Sequence, residues 1–154
     1  MSDIYLSKEK IEELKKEVKK LIEVDRPKII ESIKVARAQG DLSENADYDA
    51  AKDQQGEIEA RIAEIETILG NYQVINDQKK SDVITIGKTV TFYDESDKEN
   101  YTYEIVGEIE ANPSENKISN ISPLARAIIG KKVGDRVSVT NIEKPYFIEI
   151  KSVS

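Results

Sequence analysis

Residues 46–72, ADYDAAKDQQGEIEARIAEIETILGNY, decide the fold. Tyr48, Ala51, Gln55, Ile58, Ile62, Ile65, Leu69 and Tyr72 follow one another at steps of three and four, and all but Gln55 are apolar or aromatic. Side chains at that spacing share one stripe of a helix, so the spacing predicts a long helix with a coiled-coil seam. Proline is absent from the whole segment. A seam of this kind needs a partner helix, and the sequence just upstream supplies one.

From Ser7 to Arg37 the apolar residues Ile11, Leu14, Val18, Leu21 and Ile22 recur on a helical period and resume at Ile29, Ile33 and Ala36. The phase slips around Asp25-Arg26-Pro27, where proline lacks the N–H a helix interior uses, so a stutter or kink is expected there. Ser7 suits the cap of this first helix, but the third helical position holds Lys10 rather than Glu, so the local capping box is missing. Residues 8–37 carry ten basic and seven acidic side chains, against two and seven in residues 46–75. Opposite net charges favour mutual pairing, although each exposed ion pair contributes only about 0–1 kcal/mol. The short link around Gln39-Gly40-Asp41-Leu42 forces the two helices to run antiparallel. Arms of about 30 residues at 1.5 Å rise would each span ~45 Å.

Beyond residue 83 the pattern changes to period two. Thr89–Phe92, Tyr101–Val106, Arg136–Val139 and Tyr146–Ile150 alternate or cluster strand formers between turn signals at Asp94-Glu95-Ser96-Asp97 and Val133-Gly134-Asp135. Ser122 to Ile129 fits a short helix with Ser at the cap, Pro123 in the first turn and Gly130 as the stop. The fold class expected is therefore α+β. An N-terminal antiparallel coiled-coil hairpin, residues 1–77, precedes a small antiparallel β-sheet domain with a short helix, residues 78–154.

Composition narrows the chemistry. The 154 residues contain neither Cys nor His, which removes thiolate and imidazole metal sites, Cys nucleophiles and His general bases. A net charge of −7 argues against wrapping duplex nucleic acid with a whole surface, so any such contact must be local. No apolar run approaches the roughly 20 residues a membrane span needs, and the charged start MSDIYLSKEK lacks a signal peptide's apolar region. A soluble, cytoplasmic protein is expected, and the N-x-S/T matches at Asn100 and Asn120 then carry no glycosylation meaning.

The link between the helices reads Gly40-Asp41-Leu42-Ser43-Glu44-Asn45. Asp41 and Glu44 stand three apart, so both carboxylates can project from one end of the hairpin. The plain alternative is a solvated, capped corner. Two other motifs fail on inspection. An EF-hand loop counted from Asp41 puts Ala46 where glycine is required and Lys52 where a bidentate glutamate is required. Gly87-Lys88-Thr89 imitates the end of a P-loop, but its first glycine would be residue 82, an aspartate. Two carboxylates cannot fill the oxygen shell of Mg²⁺ alone. If they form a site, it is half a site, useful where another macromolecule already holds a metal and a phosphodiester.

The run Ala36 to Gln55, ARAQGDLSENADYDAAKDQQ, closely resembles the tip signature of the bacterial Gre transcript cleavage factors of the GreA type. Arg26-Pro27, Val106-Gly107, Ser122-Pro123-Leu124-Ala125 and Ile129 to Asp135 match in the same order, so the resemblance covers essentially the whole chain. It implies an FKBP-like C-terminal domain that docks near the secondary channel of bacterial RNA polymerase, and a hairpin that enters that channel. It implies that Asp41 and Glu44 hold a second Mg²⁺ jointly with the polymerase's aspartates, with no cofactor in the isolated protein. Backtracked nascent RNA would be cut near its 3′ end by the polymerase's own site, so the factor would stimulate hydrolysis in trans without being an enzyme. A monomer is expected.

Other residues have two readings each. Arg37 and Lys52 would steer the RNA 3′ segment, or lie on a solvated helix face. Ser43, Asn45 and Tyr48 would position water or polymerase groups; alternatively Ser43 or Asn45 caps the second helix and Tyr48 begins its seam, the reading preferred for Tyr48. Ser122, Pro123 and Leu124 would form the polymerase-docking segment, or simply cap and pack a helix. Asp49 and Asn112 depart from the family's usual residues, and the scattered cations Lys28, Lys34, Arg37 and Lys52 favour the GreA type over the more basic GreB type. Two other functions compete: a channel-binding inhibitor or coiled-coil adaptor without cleavage activity, and prolyl isomerisation by the second domain, which rests on fold analogy alone.

Overall fold

The computed structural model describes residues 4–40, 45–75, 82–140 and 142–154. They divide into two compact units, residues 9–71 and residues 1–8 together with 72–154. In the first unit α1 (Lys8–Lys20) and α2 (Arg26–Ala38) are joined without a break through a π-helical turn, Leu21–Asp25. Proline 27 sits in the first turn of α2, where its missing N–H costs least. The expected phase slip is thus absorbed as an added residue in the helical ladder. α3 (Ala46–Gly70) returns alongside. Three polar contacts establish the antiparallel sense: Asn45 bonds Ala36, Glu59 bonds Arg26, and Arg61 bonds Glu17.

Burial along α3 falls on Ala51, Ile58, Ile62, Ile65 and Ile68. The seam matches the sequence pattern as far as Ile65 and then steps to Ile68, leaving Leu69 half-buried, and Tyr72 lies beyond the helix end. Four of these residues are isoleucines, poor helix formers that tertiary burial outweighs. Ile29 and Ile33 of α2 close the same cluster with Ala51, Ile58 and Ile62, and Val18, Leu21, Ile22 and Tyr48 pack around it. Tyr48 therefore begins the seam.

The second unit holds a five-stranded sheet with order β5 (Lys117–Ser119), β4 (Glu99–Val106), β3 (Thr89–Asp94), β7 (Tyr146–Val153), β6 (Arg136–Val139). The pairings β3–β4, β3–β7 and β6–β7 are antiparallel, but β5 runs parallel to β4, so the sheet is mixed at one edge. A bulge between Thr91 and Phe92 shifts the β3–β7 register. The Asp94–Glu99 turn is held by Asp94 Oδ1, which accepts from the Ser96 amide and hydroxyl, and by Lys98 at φ +60°. α4 (Pro123–Ile128) places Ala125 and Ile128 against Ile84, Val90, Phe92, Ile105, Ile148 and Ile150 to form the core. Gly130 at φ +89° ends it, as its sequence signal indicates.

A second, two-stranded sheet was not legible in the pattern: β1 (Tyr5–Leu6) pairs parallel with β2 (Gln73–Val74). Residues 4–7 thereby join the C-terminal unit rather than the hairpin.

Candidate functional site

The helix ends that flank residues 41–44 are tied by one side chain. α2 closes with the Gln39 N–H on the Ala36 carbonyl at 3.2 Å, and Gly40 follows at φ +131°, a conformation that excludes most side chains. α3 opens at Asn45, whose extended backbone (φ −93°, ψ 97°) lets its Oδ1 accept the Tyr48 N–H at 3.1 Å. The same side chain's Nδ2 donates to the Ala36 carbonyl at 2.6 Å. One amide thus caps the start of α3 and satisfies a terminal carbonyl of α2. Of the two candidate caps in the sequence, Asn45 is the one that caps the helix. Asp41 and Glu44 lie outside the described residues, as do Leu42 and Ser43.

Charge around this end is mixed. Asp47 and Asp49 occupy the first turn of α3, where the helix dipole favours acids, and Arg37 occupies the last turn of α2, where it favours a cation. Arg37 is exposed. Lys52 is exposed on α3 and donates to Gln55 Oε1 at 3.1 Å. Glu31, Ser32, Val35, Ala36, Gln39, Asp47 and Ala51 line an open groove of about 270 Å³.

Away from this end, two arginines bridge the arms. Arg26 makes a bidentate pair with Glu59 at 2.8 Å for both bonds, and Arg61 does the same with Glu17 at 2.7 and 2.8 Å while also bonding Glu64. The hydrogen bonds from Arg26 and Arg61 hold the carboxyls of Glu59 and Glu17 below their usual range. These are fork-on-fork contacts that fix the stagger of one helix along the other.

The predicted docking segment lies in the C-terminal unit. Ser122 caps α4, its hydroxyl accepting the Ala125 N–H at 3.2 Å. Pro123 is exposed in the first turn, and Leu124 is half-buried against the core. Structural roles occupy Ser122 and Leu124, and Pro123 is the member of the trio that faces outward. Exposed Ile121, Ile129 and Val133 lie nearby in sequence. No helix of the described residues is long and apolar enough to cross a membrane. Among the described residues no group of three or more acidic side chains is arranged to hold a metal.

The chain's relatives are consistent over its whole length. A family model described as "Transcription elongation factor, N-terminal" matches residues 4–74, and one described as "Transcription elongation factor, GreA/GreB, C-term" matches residues 78–154. The Mycoplasma genitalium protein named "Transcription elongation factor GreA" is 56% identical over 97% of this chain and 95% of its own. A protein of the same name from Mycoplasma pneumoniae is 54% identical over 97% and 94%. The solved GreA factor homolog 1 (Gfh1) of Thermus thermophilus is 24% identical and superposes with a TM-score of 0.46 over 99% of both chains. With both halves matched in order and relatives more than half identical along nearly the full chain, the protein belongs to the GreA/GreB family of transcription elongation factors.

Proposed function

We propose that this protein binds bacterial RNA polymerase and, with its hairpin inserted in the secondary channel, stimulates cleavage of backtracked nascent RNA by the polymerase's own active site. Asp41 and Glu44 are the two residues that would hold a second Mg²⁺ together with polymerase carboxylates. Their donor set fits: hard carboxylate oxygens suit Mg²⁺, and two of them leave positions for water, polymerase groups and the RNA phosphate. When bound, that ion supplies an activated water for phosphodiester hydrolysis. This chain's part is positional. Asn45 ties α3 to the Ala36 carbonyl, so the four-residue link carrying both acids begins and ends on mutually bonded helix ends. That bond is the observation that supports the reading, because it holds together the two helix ends between which the acids lie in the sequence.

Arg37 and Lys52, exposed on the two arms, would contact the RNA 3′ segment, and Pro123 with its neighbours Ser122 and Leu124 would dock the C-terminal unit on the polymerase. The protein acts as a monomer in the cytoplasm and is not itself a nuclease. Incubation with a stalled, backtracked elongation complex and Mg²⁺ tests this: RNA shortened from its 3′ end is expected, and none when polymerase is omitted. Intact RNA with full polymerase binding would instead mean a channel-binding inhibitor.

A further inference from the structure

Ser7 precedes α1, and both of its polar groups meet one distant carboxylate. Its backbone N–H donates to Glu110 Oε2 at 2.8 Å and its hydroxyl donates to Glu110 Oε1 at 2.7 Å. In a capping box, the carboxylate that accepts the cap residue's N–H comes from the third helical position. That position is Lys10 here, whose side chain carries no acceptor for an N–H. Glu110, 103 residues away, accepts that N–H instead.

The same segment is fastened twice more. In the β1–β2 ladder, the Gln73 N–H donates to the Ile4 carbonyl at 2.7 Å and the Ile75 N–H to the Leu6 carbonyl at 2.9 Å. Gly107, which begins the 3₁₀ turn ending at Glu110, approaches so closely that a Cβ there would lie 2.2 Å from the Tyr5 carbonyl oxygen. Leu6 between these fastenings is fully buried. Every one of these contacts lies within the unit of residues 1–8 and 72–154.

We propose that Glu110, which accepts from both polar groups of Ser7, forms with Gly107 a latch that holds residues 4–7 on the C-terminal unit, so that the Ser7–Glu110 bonds and the β1–β2 ladder open together. Glu110 is then a positioning residue: it acts on the β1–β2 ladder through Ser7. The latch is a device of this fold independent of the tip acids and of the reading of their chemistry.

Native-state hydrogen exchange on the full chain tests it. Glu110→Ala should lower protection of the Ser7, Gln73 and Ile75 amides together, by about tenfold or more given the usual strength of bonds to a charged group. The Gly134 and Ile150 amides, which bond within the main fold at 2.8 and 3.0 Å, should keep theirs. Adding Lys10→Glu to Glu110→Ala rebuilds a local capping box and should restore the Ser7 amide alone, leaving Gln73 and Ile75 exchanging fast. If Glu110→Ala fails to fold, Glu110→Gln, which keeps one acceptor, should show the same joint pattern at smaller size. Unchanged protection at Gln73 and Ile75 in the Glu110 variants, or recovery of all three amides with Lys10→Glu, would overturn the latch.

Discussion

The Asn45 side chain bonds the Ala36 carbonyl at 2.6 Å across the end of the hairpin, the shorter of its two bonds to backbone. Because this bond reaches the opposite helix, Asn45 holds the two arms at a fixed separation where the acidic link starts and ends. Losing the side chain should therefore affect both stability and function.

Asn45→Ala should cost about 1–2 kcal/mol through the lost cap, read as a lower midpoint in thermal unfolding, and should slow stimulated RNA cleavage. Asn45→Asp separates the two duties. It retains an acceptor for the Tyr48 N–H but places a carboxylate, which cannot donate, against the Ala36 carbonyl. Its α3 should stay capped while cleavage slows as in the alanine variant; full activity in Asn45→Asp would show that only the cap matters.

Ile62, 3% exposed, lies in the middle of the seam between the arms. Ile62→Ala should destabilise the hairpin by about 2–5 kcal/mol through lost burial and the cavity left behind. Differential hydrogen exchange should find faster opening along α2 and α3, with amides of the five-stranded sheet unchanged.

Acid should loosen the arms before it affects the sheet's apolar core. Glu17 and Glu59 have carboxyl pKa values held down by the hydrogen bonds from Arg61 and Arg26. A depressed folded-state pKa gives stability that is present above the unfolded value, about 4.3 for Glu, and is lost as pH falls through the lower folded value. Helical signal from the hairpin should weaken over that acid range. In Arg61→Gln, the part of the slope due to Glu17 should disappear, while the exposed Arg26–Glu59 pair should add little at neutral pH.

Tyr101 should titrate late among the tyrosines of the C-terminal unit, as should Tyr146, whose hydroxyl pKa is pushed up by burial. The Tyr101 hydroxyl donates to Asp97, which with burial pushes its pKa up to about 12. A raised folded value means the bond's contribution is intact below the unfolded pKa near 10 and is lost as pH rises through the folded one. Ultraviolet difference titration should show a phenolate appearing late, and Asp97→Asn should move that step down.

Much of this architecture was legible in the sequence because burial imposes periodicity. The steps of three and four through Ala51, Ile58, Ile62 and Ile65 reveal the seam, and Pro27 marks the phase slip. The slip's form, a π-helical turn, leaves no mark, since one added residue can be absorbed as a kink, a stutter or a bulge. Strands of two residues such as Tyr5–Leu6 are too short to show alternation, and β5 joins the sheet through backbone pairing that its three side chains do not encode. Glu110 was silent for a different reason. Capping rules look within one turn, and its partner is Ser7 at the other end of the chain. At the tip, Ser43 and Asn45 are both good caps by type, and only the backbone at Asn45 decides between them. The acids Asp41 and Glu44 were found by motif, and their spacing alone does not distinguish a metal half-site from a solvated corner.

The two acids carry the central claim, and product mapping on a backtracked elongation complex tests it most directly. Asp41→Asn and Glu44→Gln, each nearly isosteric and each removing one anionic oxygen donor, should bind polymerase as the unaltered chain does yet yield no shortened RNA in Mg²⁺. Undiminished cleavage by both variants, or cleavage of free RNA by the protein alone, would contradict the account.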